Sequence, residues 1–377
     1  MDVSQEVYKP LGQRFEFLDG LRGIAALLVV VFHFNNILIQ NEIFPFPKII
    51  NWILAQGEFG VEIFFVLSGF VIAYSIRNYR ISISFAGNFF IKRSIRLDPP
   101  YWMTLLILTS LTILGNFFKA VPMPLAPIDD ILINSLYLSD IMDIPRILPV
   151  SWTLALEIQF YMFYILLVSF IQFLNSKFSK DKDAVSMSVP ALIILNALML
   201  VSLLQNTPHA LLPSIQGLFV YKWYSFFIGC LACWSMLKFI PSAFFWINFS
   251  FIGMYALNVH SGAYATCLVS LIIYGVAMKD KMHSFLTSFI FQYLGKISYS
   301  LYLLHWVVGL KVMDISLRNT DVFHHSLGAL LLLLAVAIST SIFAADIFYR
   351  FIELPSLKFS QQFKNRSRKN TAPISLS

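Results

Sequence analysis

An arginine and a histidine bracket the first long apolar run of the chain. Arg22 and His33 stand eleven residues apart in LRGIAALLVVVFHF, with no charged residue between them. In a helix this separation corresponds to a rise of about 16 Å. An ionisable side chain inside a membrane-spanning helix is costly, by about 2.5–3.5 kcal/mol for a charged residue at the helix centre, and usually has a function. Because imidazole titrates near neutral pH, His33 is a candidate for proton transfer.

Carboxylates and a second histidine lie at depths that overlap with that of His33. Glu157 stands about 8 Å from the N-terminal end of its own apolar run, and His305 stands near the middle of another. A carboxylate next to a histidine fixes the tautomer of the ring and raises its basicity. We therefore expect His33 and Glu157 to carry the chemistry, and further candidates are His305, Glu62 and Asp19. The structural alternative is a histidine that bonds a carbonyl group or packs between helices, above all for His305 in SYSLYLLHW.

A second cluster is basic and contains Lys92, Arg93 and Arg96 in FIKRSIRLDPPYW. Arg93 and Arg96 are neighbours on one face if the stretch is helical, and the two prolines that follow then end or kink that helix. Guanidinium groups bind phosphate in a bidentate manner, so the cluster suits a phosphate-rich ligand. The alternative is that these residues only report membrane orientation, as basic residues beside membrane spans commonly do.

The amino-acid composition indicates which structural elements hold these candidate residues in place. Of the 377 residues, 58% are hydrophobic and only 12% are charged, against about 25% charged in soluble domains. About 20 helical residues cross a bilayer, and only helices satisfy every backbone group in lipid at this length. The sequence therefore predicts an all-α integral membrane protein with about ten transmembrane helices. The apolar runs fall near residues 22–41, 59–76, 99–118, 152–173, 187–204, 218–237, 241–258, 262–278, 289–311 and 325–348.

The distribution of basic residues predicts the side on which each loop lies. If both termini are cytoplasmic, 21 of the 27 lysines and arginines fall in cytoplasmic segments, as the positive-inside rule requires. Arg22 then lies at the cytoplasmic mouth of the first span, and His33 lies past the midplane. We expect a cytoplasmic segment at residues 1–20, a transmembrane domain at 21–355 and a basic, disordered cytoplasmic tail at 356–377.

Several other function classes have little support. The net charge of +7 reports membrane orientation, and no nucleic-acid partner is expected. Cys230 and Cys233 lie in an apolar stretch and are expected to be small buried side chains, with no metal site. No nucleotide-binding loop, zinc-protease motif or esterase elbow occurs. The longest outer loop, about 119–150, is rich in proline and is expected to form an irregular cap.

Several stretches together resemble the membrane-bound acyltransferase 3 family. In FLDGLRGIAALLVVVFHF the arginine, ten residues and histidine match the first-span pattern of that family, and GVEIFFVLSGFVI resembles its second-span signature. KRSIRLDPPYW resembles its pair of arginines before the third span, with Asp98 before the prolines as a small departure. SWTLALEIQFYMFY, KISYSLYLLHW and FYRFIELP match further signatures. The matches follow one another from residue 15 to residue 355, so the resemblance covers nearly the whole transmembrane region.

The resemblance implies transfer of an acyl group, most often acetyl, from cytoplasmic acyl-CoA to a hydroxyl of an extracytoplasmic carbohydrate such as O-antigen, capsule or exopolysaccharide. It implies that His33 is the general base and that Glu157 is a further polar residue of the site. It also implies a multi-pass protein of the inner (cytoplasmic) membrane, in contact with lipid. Direct transfer is the preferred mechanism, and a covalent acyl-histidine relay is the alternative. The donor-binding residues would be Arg22, Lys92, Arg93 and Arg96.

A transporter is the strongest alternative class. In that case His33, Glu157 and His305 would form a polar relay for a proton or a small solute. Transporters often contain inverted repeats, and no obvious match relates the two halves of this sequence. An acyltransferase would move the label of acetyl-CoA to a glycan, whereas a transporter would not.

Overall fold

The computed structural model of the chain is helical in nearly all the residues that it describes. It describes residues 15–41, 43, 46–77, 79, 81–118, 123–178, 189–206, 217–258, 261–319, 322 and 326–368. The α-helices are α1 (Glu16–Gln40), α2 (Lys48–Ala55), α3 (Phe59–Ile76), α4 (Ile83–Asn116), α5 (Ile128–Ser135), α6 (Trp152–Phe178), α7 (Val189–Gln205), α8 (Trp223–Met236), α9 (Ser242–Asn258), α10 (Ser261–Met278), α11 (Phe289–Leu304), α12 (Leu310–Asn319), α13 (Leu327–Phe348) and α14 (Leu354–Arg368).

Each predicted apolar run falls on a helix. Six helical segments of the described chain are long and apolar enough to cross a membrane, and they contain α1, α2 with α3, α4, α6, α11 with α12, and α13 with α14. The remaining runs fall on α7 to α10, which are only 14 to 18 residues long. These findings confirm an all-α membrane protein over the described residues, while the count of ten spans and the cytoplasmic termini stay predictions.

The second span begins earlier than the sequence predicts. α2, a short 3-10 turn and α3 form one helical segment of 29 residues from Lys48 to Ile76, whereas the apolar run begins at 59. The apolar pattern misses the first part because the polar turn Gln56–Glu58 interrupts it. Glu62 consequently lies in the middle of the segment and not at its outer entrance.

α1 and α11 lie side by side in parallel, and glycines let their backbones meet. A side chain on Gly23 would overlap the backbone at Gly295, and a side chain on Gly295 would overlap the backbone of Asp19. Ten residues further along each helix lie His33 and His305, whose rings are in contact. The close contact at the glycines therefore sets the register that brings the two histidines together.

α3 and α8 make the second close helix contact. A side chain on Gly69 of α3 would overlap the carbonyl group of Phe226, and one on Gly229 of α8 would overlap the carbonyl group of Val66. The buried rings of Phe65 and Phe226 pack beside this contact with centroids 4.7 Å apart. The contact fixes α8 against the middle of the second span, where Glu62 lies.

The long loop before α6 folds back along α4, so the prediction of a cap is wrong in its placement. The Tyr101 hydroxyl donates to the carbonyl oxygen of Asn134 at 2.9 Å, and the Trp102 indole donates to that of Ser135 at 3.0 Å. Along the axis of α4, these contacts lie about 22 Å from the helix end at Asn116, towards the N-terminus of the helix. The buried Asn134 side chain holds the loop in this shape through hydrogen bonds to three backbone groups. Sequence reasoning could not detect these long-range contacts in a proline-rich segment.

The ends of the chain differ from the predicted domain boundaries. α1 begins at Glu16, inside the predicted N-terminal segment, and residues 1–14 lie outside the described residues. α14 continues the last span to Arg368, so the chain is helical where the tail is expected to be disordered. The Ser360 hydroxyl donates to the backbone of α4 at 2.8 Å, which gives this helix a packing partner. Residues 369–377 lie outside the described residues.

We predict that Gly69→Leu destabilises the protein. Because the added side chain has to displace the backbone of α8, the substitution should cost at least the ~1–3 kcal/mol typical of an overpacked core. Gly253→Leu is the matched control, since a Cβ added there meets no atom within 4 Å. Thermal unfolding of both purified variants in detergent measures the difference. Equal melting temperatures for the two variants would contradict the close contact between α3 and α8.

Candidate active site

Two histidines from different helices form the centre of the candidate site. His33 Nδ1 and His305 Nε2 lie 2.9 Å apart, and the rings stack with centroids 5.0 Å apart. The Trp306 ring packs edge-on against His33 with centroids 5.1 Å apart. His305 begins a π-helical turn at the end of α11 and is completely buried, whereas His33 is half-buried. The structure therefore brings together two residues that the sequence singles out separately.

Hydrogen bonds determine where the protons of this pair lie. His305 Nδ1 lies 3.2 Å from the carbonyl oxygen of Leu301, which can only accept, so Nδ1 carries the proton. In a neutral His305 the Nε2 atom is then an acceptor, and His33 Nδ1 donates to it. The Nε2 atom of a neutral His33 is left with a lone pair. The arrangement therefore makes His33 the member of the pair that can accept a proton.

His33 lines a cavity of about 310 Å³, at the lower end of the ~300–1,000 Å³ that is usual for small-molecule sites. The Tyr302 ring forms part of its wall, and its hydroxyl donates to the carbonyl oxygen of Val150 at 3.0 Å. The wall combines aromatic rings with charged and polar groups, as a site for a small polar ligand would. Other lining side chains include Phe32, Glu58, Glu62, Trp152, Tyr221, Lys222 and Tyr224.

Glu62 lies in this cavity wall as one half of a buried ion pair. Its Oε1 atom accepts from the Lys222 ammonium at 2.5 Å. Its Oε2 atom accepts from the hydroxyls of Ser225 at 2.6 Å and Thr266 at 3.2 Å. Lys222 directly precedes α8, and the structure buries its side chain against the middle of the second span. A pairing between residues 160 positions apart leaves no local pattern in the sequence.

Glu157 does not bond to either histidine among the described contacts. Its carboxylate accepts from the Ser68 hydroxyl at 2.7 Å and from the Tyr161 hydroxyl. The Arg93 guanidinium in turn donates to the Tyr161 hydroxyl at 3.2 Å and lies 4.1 Å above the Tyr161 ring. Glu157 is therefore connected to the arginines, and the predicted pairing of His33 with a carboxylate is replaced by its pairing with His305.

The three predicted arginines gather towards the other end of α1. Arg96 interacts electrostatically with Arg93, Arg22 and Glu353, and Arg22 lies 3.5 Å from Asp19. Within the part of the chain that the structure describes, no carboxylate lies within the 4 Å ion-pair distance of Arg93 or Arg96. Guanidinium groups that form no direct ion pair among the described residues suit an anionic ligand. Asp19, predicted as a possible site residue, lies at this end with Arg22.

Glu353 is a polar residue of this region that sequence reasoning missed. It ends a π-helical turn after α13 and is 4% exposed. Its carboxylate accepts from the backbone amide of Ser300 at 3.2 Å and from the Ser300 hydroxyl at 2.6 Å. A carboxylate at the end of the apolar run in FYRFIELP is the sequence signal that could have identified it.

Lys92 lies beside α14, where its carbonyl oxygen accepts from Ser360.

Among the described residues, no hydrogen bond links Glu157 to either histidine, as a relay through all three residues would require. The described hydrogen bonds of His305 go to His33 and to its own helix, whereas those of Glu157 go to Ser68 and Tyr161. Among the described residues, no group of three or more His, Cys, Asp or Glu side chains could hold a metal ion. Cys230 and Cys233 are buried thiols, as the sequence predicts.

Comparison with known proteins supports one enzyme class. A protein of Staphylococcus aureus (strain COL) named "Putative O-acetyltransferase" is 27% identical over 175 residues, which are 43% of this chain and 26% of that protein. A Rhizobium radiobacter protein named "Protein 2 in picA locus" is 31% identical over 99 residues, which are 26% of this chain and 46% of that protein. The chain thus spans about a quarter of the first relative and just under half of the second. No solved structure matches the chain significantly.

The family comparison covers most of the chain. The model of the acyltransferase 3 family, described as an acyltransferase domain, matches residues 15–349. This range contains both histidines, the three arginines, Glu62, Lys222 and Glu157. It begins one residue before α1 and ends within the π-helical turn that leads to α14. The chain therefore belongs to the acyltransferase 3 family of membrane proteins.

Proposed function

We propose that this protein transfers an acyl group, most simply acetyl, from acyl-CoA to a hydroxyl of a carbohydrate. The observation that carries the proposal is the position of His33, which lines a cavity at one end of α1 while three arginines gather at the other end. The rise from Arg22 to His33 is about 16 Å, close to the reach of the extended pantetheine arm of coenzyme A. The membership of an acyltransferase family supports the reaction class.

The arginines are the proposed donor site. Coenzyme A carries a diphosphate and a ribose phosphate, around four negative charges in all, and guanidinium groups bind such phosphates through paired hydrogen bonds. Arg93 and Arg96 have no carboxylate partner among the described residues that a phosphate would have to displace. Glu157 acts at this end in our proposal: it accepts from the Tyr161 hydroxyl, whose ring and oxygen contact Arg93. Lys92 adds positive charge to the same mouth.

His33 performs the proton transfer in the proposed reaction. Its Nε2 atom takes the proton of the acceptor hydroxyl as the oxygen attacks the thioester carbonyl carbon. The carbon–sulfur bond then breaks, and the same nitrogen returns the proton to the leaving thiolate to give free CoA. Direct transfer needs no net proton uptake and keeps CoA on the arginine side. In the alternative relay, His33 would carry the acyl group itself.

His305 is a positioning residue in this mechanism. It holds the His33 ring through a 2.9 Å hydrogen bond and is held in turn by the Leu301 carbonyl oxygen. A charged His33 keeps its Nδ1 proton, so this bond becomes charge-assisted while the proton is on Nε2.

The acceptor site faces the opposite side of the membrane from the donor. With the arginines in the cytoplasm, the enzyme is a multi-pass protein of the cytoplasmic membrane that modifies envelope polysaccharide.

We predict that His33→Ala lowers acetyl transfer by about 10²–10⁴-fold, the usual contribution of a general base. The measurement is transfer of labelled acetyl from acetyl-CoA to envelope polysaccharide of the source organism in reconstituted membranes, together with CoA release. His283→Ala is the control, because this histidine is partly exposed and contacts Glu16 away from the cavity. Transfer by His33→Ala at the wild-type rate would refute the proposed reaction.

We predict that His305→Phe lowers kcat about 10–100-fold and leaves the KM for acetyl-CoA unchanged. The phenyl ring can fill the buried space but cannot accept the His33 Nδ1 proton, so the base loses its orientation. His305→Gln, which retains an acceptor oxygen, should recover part of the lost rate. A rate for the glutamine variant equal to that of the phenylalanine variant would show that packing alone matters at this position.

We predict that Arg93→Ala and Arg96→Ala each raise the KM for acetyl-CoA about 10–100-fold. Each loses charge-assisted hydrogen bonds to phosphate, worth ~1.5–3 kcal/mol. Arg318→Ala is the matched control, since its side chain is 74% exposed and pairs only with Asp314 among the described contacts. Steady-state kinetics measure the KM of each variant and of the wild type for acetyl-CoA and for acetyl-dephospho-CoA. If the KM for acetyl-CoA stayed at the wild-type value in both variants, the arginines would have only an orientation role.

A further inference from the structure

The cavity next to His33 contains an ion pair that the proposed reaction does not use. Glu62 and Lys222 come from different helical segments, and their side chains are 5% and 15% exposed. A buried ion pair is a weak source of stability, because desolvation of both charges offsets their attraction. The pair also lies in the cavity wall and not in the apolar packing around it. Its position at the cavity is therefore the feature that needs an explanation.

The two partners differ in how completely their hydrogen-bonding capacity is used. The Glu62 carboxylate accepts three hydrogen bonds, from Lys222, Ser225 and Thr266. The Lys222 ammonium has three N–H donors, and its described hydrogen bonds go to the Glu62 carboxylate and to the Tyr224 hydroxyl. Its other close neighbours are the rings of Tyr221 and Tyr224, at 5.5 and 5.8 Å from the ammonium nitrogen. Glu62 thus anchors an ammonium group that still has one N–H donor for a ligand in the cavity.

We infer that this ion pair is the binding subsite for the acceptor sugar, an inference that rests on the proposed function. Lys222 donates a hydrogen bond to a hydroxyl or ring oxygen of one hexose unit, while Glu62 holds the ammonium in place and neutralises its charge. Trp152 offers an aromatic ring in the same cavity. The subsite orients a neighbouring hydroxyl of the bound sugar towards His33, which accepts its proton.

The charges at the cavity select the class of sugar. The lining side chains include the ion pair of Glu62 and Lys222. Since Glu62 already neutralises Lys222, no cation of the lining is left to balance an incoming carboxylate among the described residues. An acidic sugar would bring an unpaired negative charge into a low-dielectric site, which is unfavourable. The acceptor unit is therefore an uncharged hexose and not a uronic acid.

Sugar binding tests this inference separately from catalysis. The purified full-length protein in detergent, without acetyl-CoA, is titrated with methyl glycosides of glucose, galactose and mannose and with the corresponding methyl uronides. Saturation-transfer NMR measures each dissociation constant. We expect at least one neutral glycoside to bind, with the matching uronide at least 10-fold weaker. The double variant Lys222→Met/Glu62→Gln, which removes both charges together, should weaken binding of the neutral glycoside at least 10-fold.

Lys279→Met/Asp280→Asn is the matched control, because it removes the same kinds of charge from two exposed neighbours. It should bind the glycosides as the wild type does. If the first double variant does not elute as a monodisperse protein, Lys222→Gln replaces it, since its amide can still donate to Glu62. The inference is overturned if no neutral glycoside binds, if uronides bind equally well, or if the variant binds like the control. If the wild-type protein, measured separately, transfers acetyl to no glycan, the proposed function itself is overturned.

Discussion

The hydrogen bond between His33 and His305 can form only where two helices hold their backbones in close contact, and this requirement organises the centre of the protein. Glycines at 23 and 295 let α1 and α11 approach, and the parallel register then places the two rings at hydrogen-bonding distance ten residues later. The Leu301 carbonyl group fixes the proton on His305. The Leu301 carbonyl oxygen thus helps to determine which nitrogen of His33 is free to act as a base.

The scarcity of water inside a membrane explains the hydrogen bonds of the buried carboxylates. Each buried polar group needs an internal partner there, and the described chain supplies such partners for Glu62, Glu157 and Glu353 through hydroxyl, ammonium or amide donors. Arg93 and Arg96 differ, because no described carboxylate lies within ion-pair distance. The three glutamates therefore have their partners within the protein, whereas Arg93 and Arg96 have no described carboxylate that an anionic ligand would have to displace. This difference also separates the arginine end of α1 from the cavity end.

The sequence predicts the helical fold and most residues of the candidate site for physical reasons. The apolar runs mark helices because lipid allows few other structures, and ionisable residues within them mark the site because they are costly there. What it could not predict are pairings over long sequence distances. His33 pairs with His305 and not with Glu157, Lys222 is buried against Glu62, and the loop before α6 follows α4 inwards. Each of these depends on which helices become neighbours, and no local pattern encodes that.

The division between a donor end and an acceptor end is the central claim, and the sidedness of the reaction tests it most directly. Labelled acetyl-CoA is enclosed in sealed proteoliposomes in which the Arg22 end of the protein faces the lumen, and envelope polysaccharide of the source organism is supplied outside. The account predicts that label appears on the external polysaccharide while free CoA stays inside. Transfer that occurs only when acetyl-CoA and polysaccharide share one compartment would contradict it.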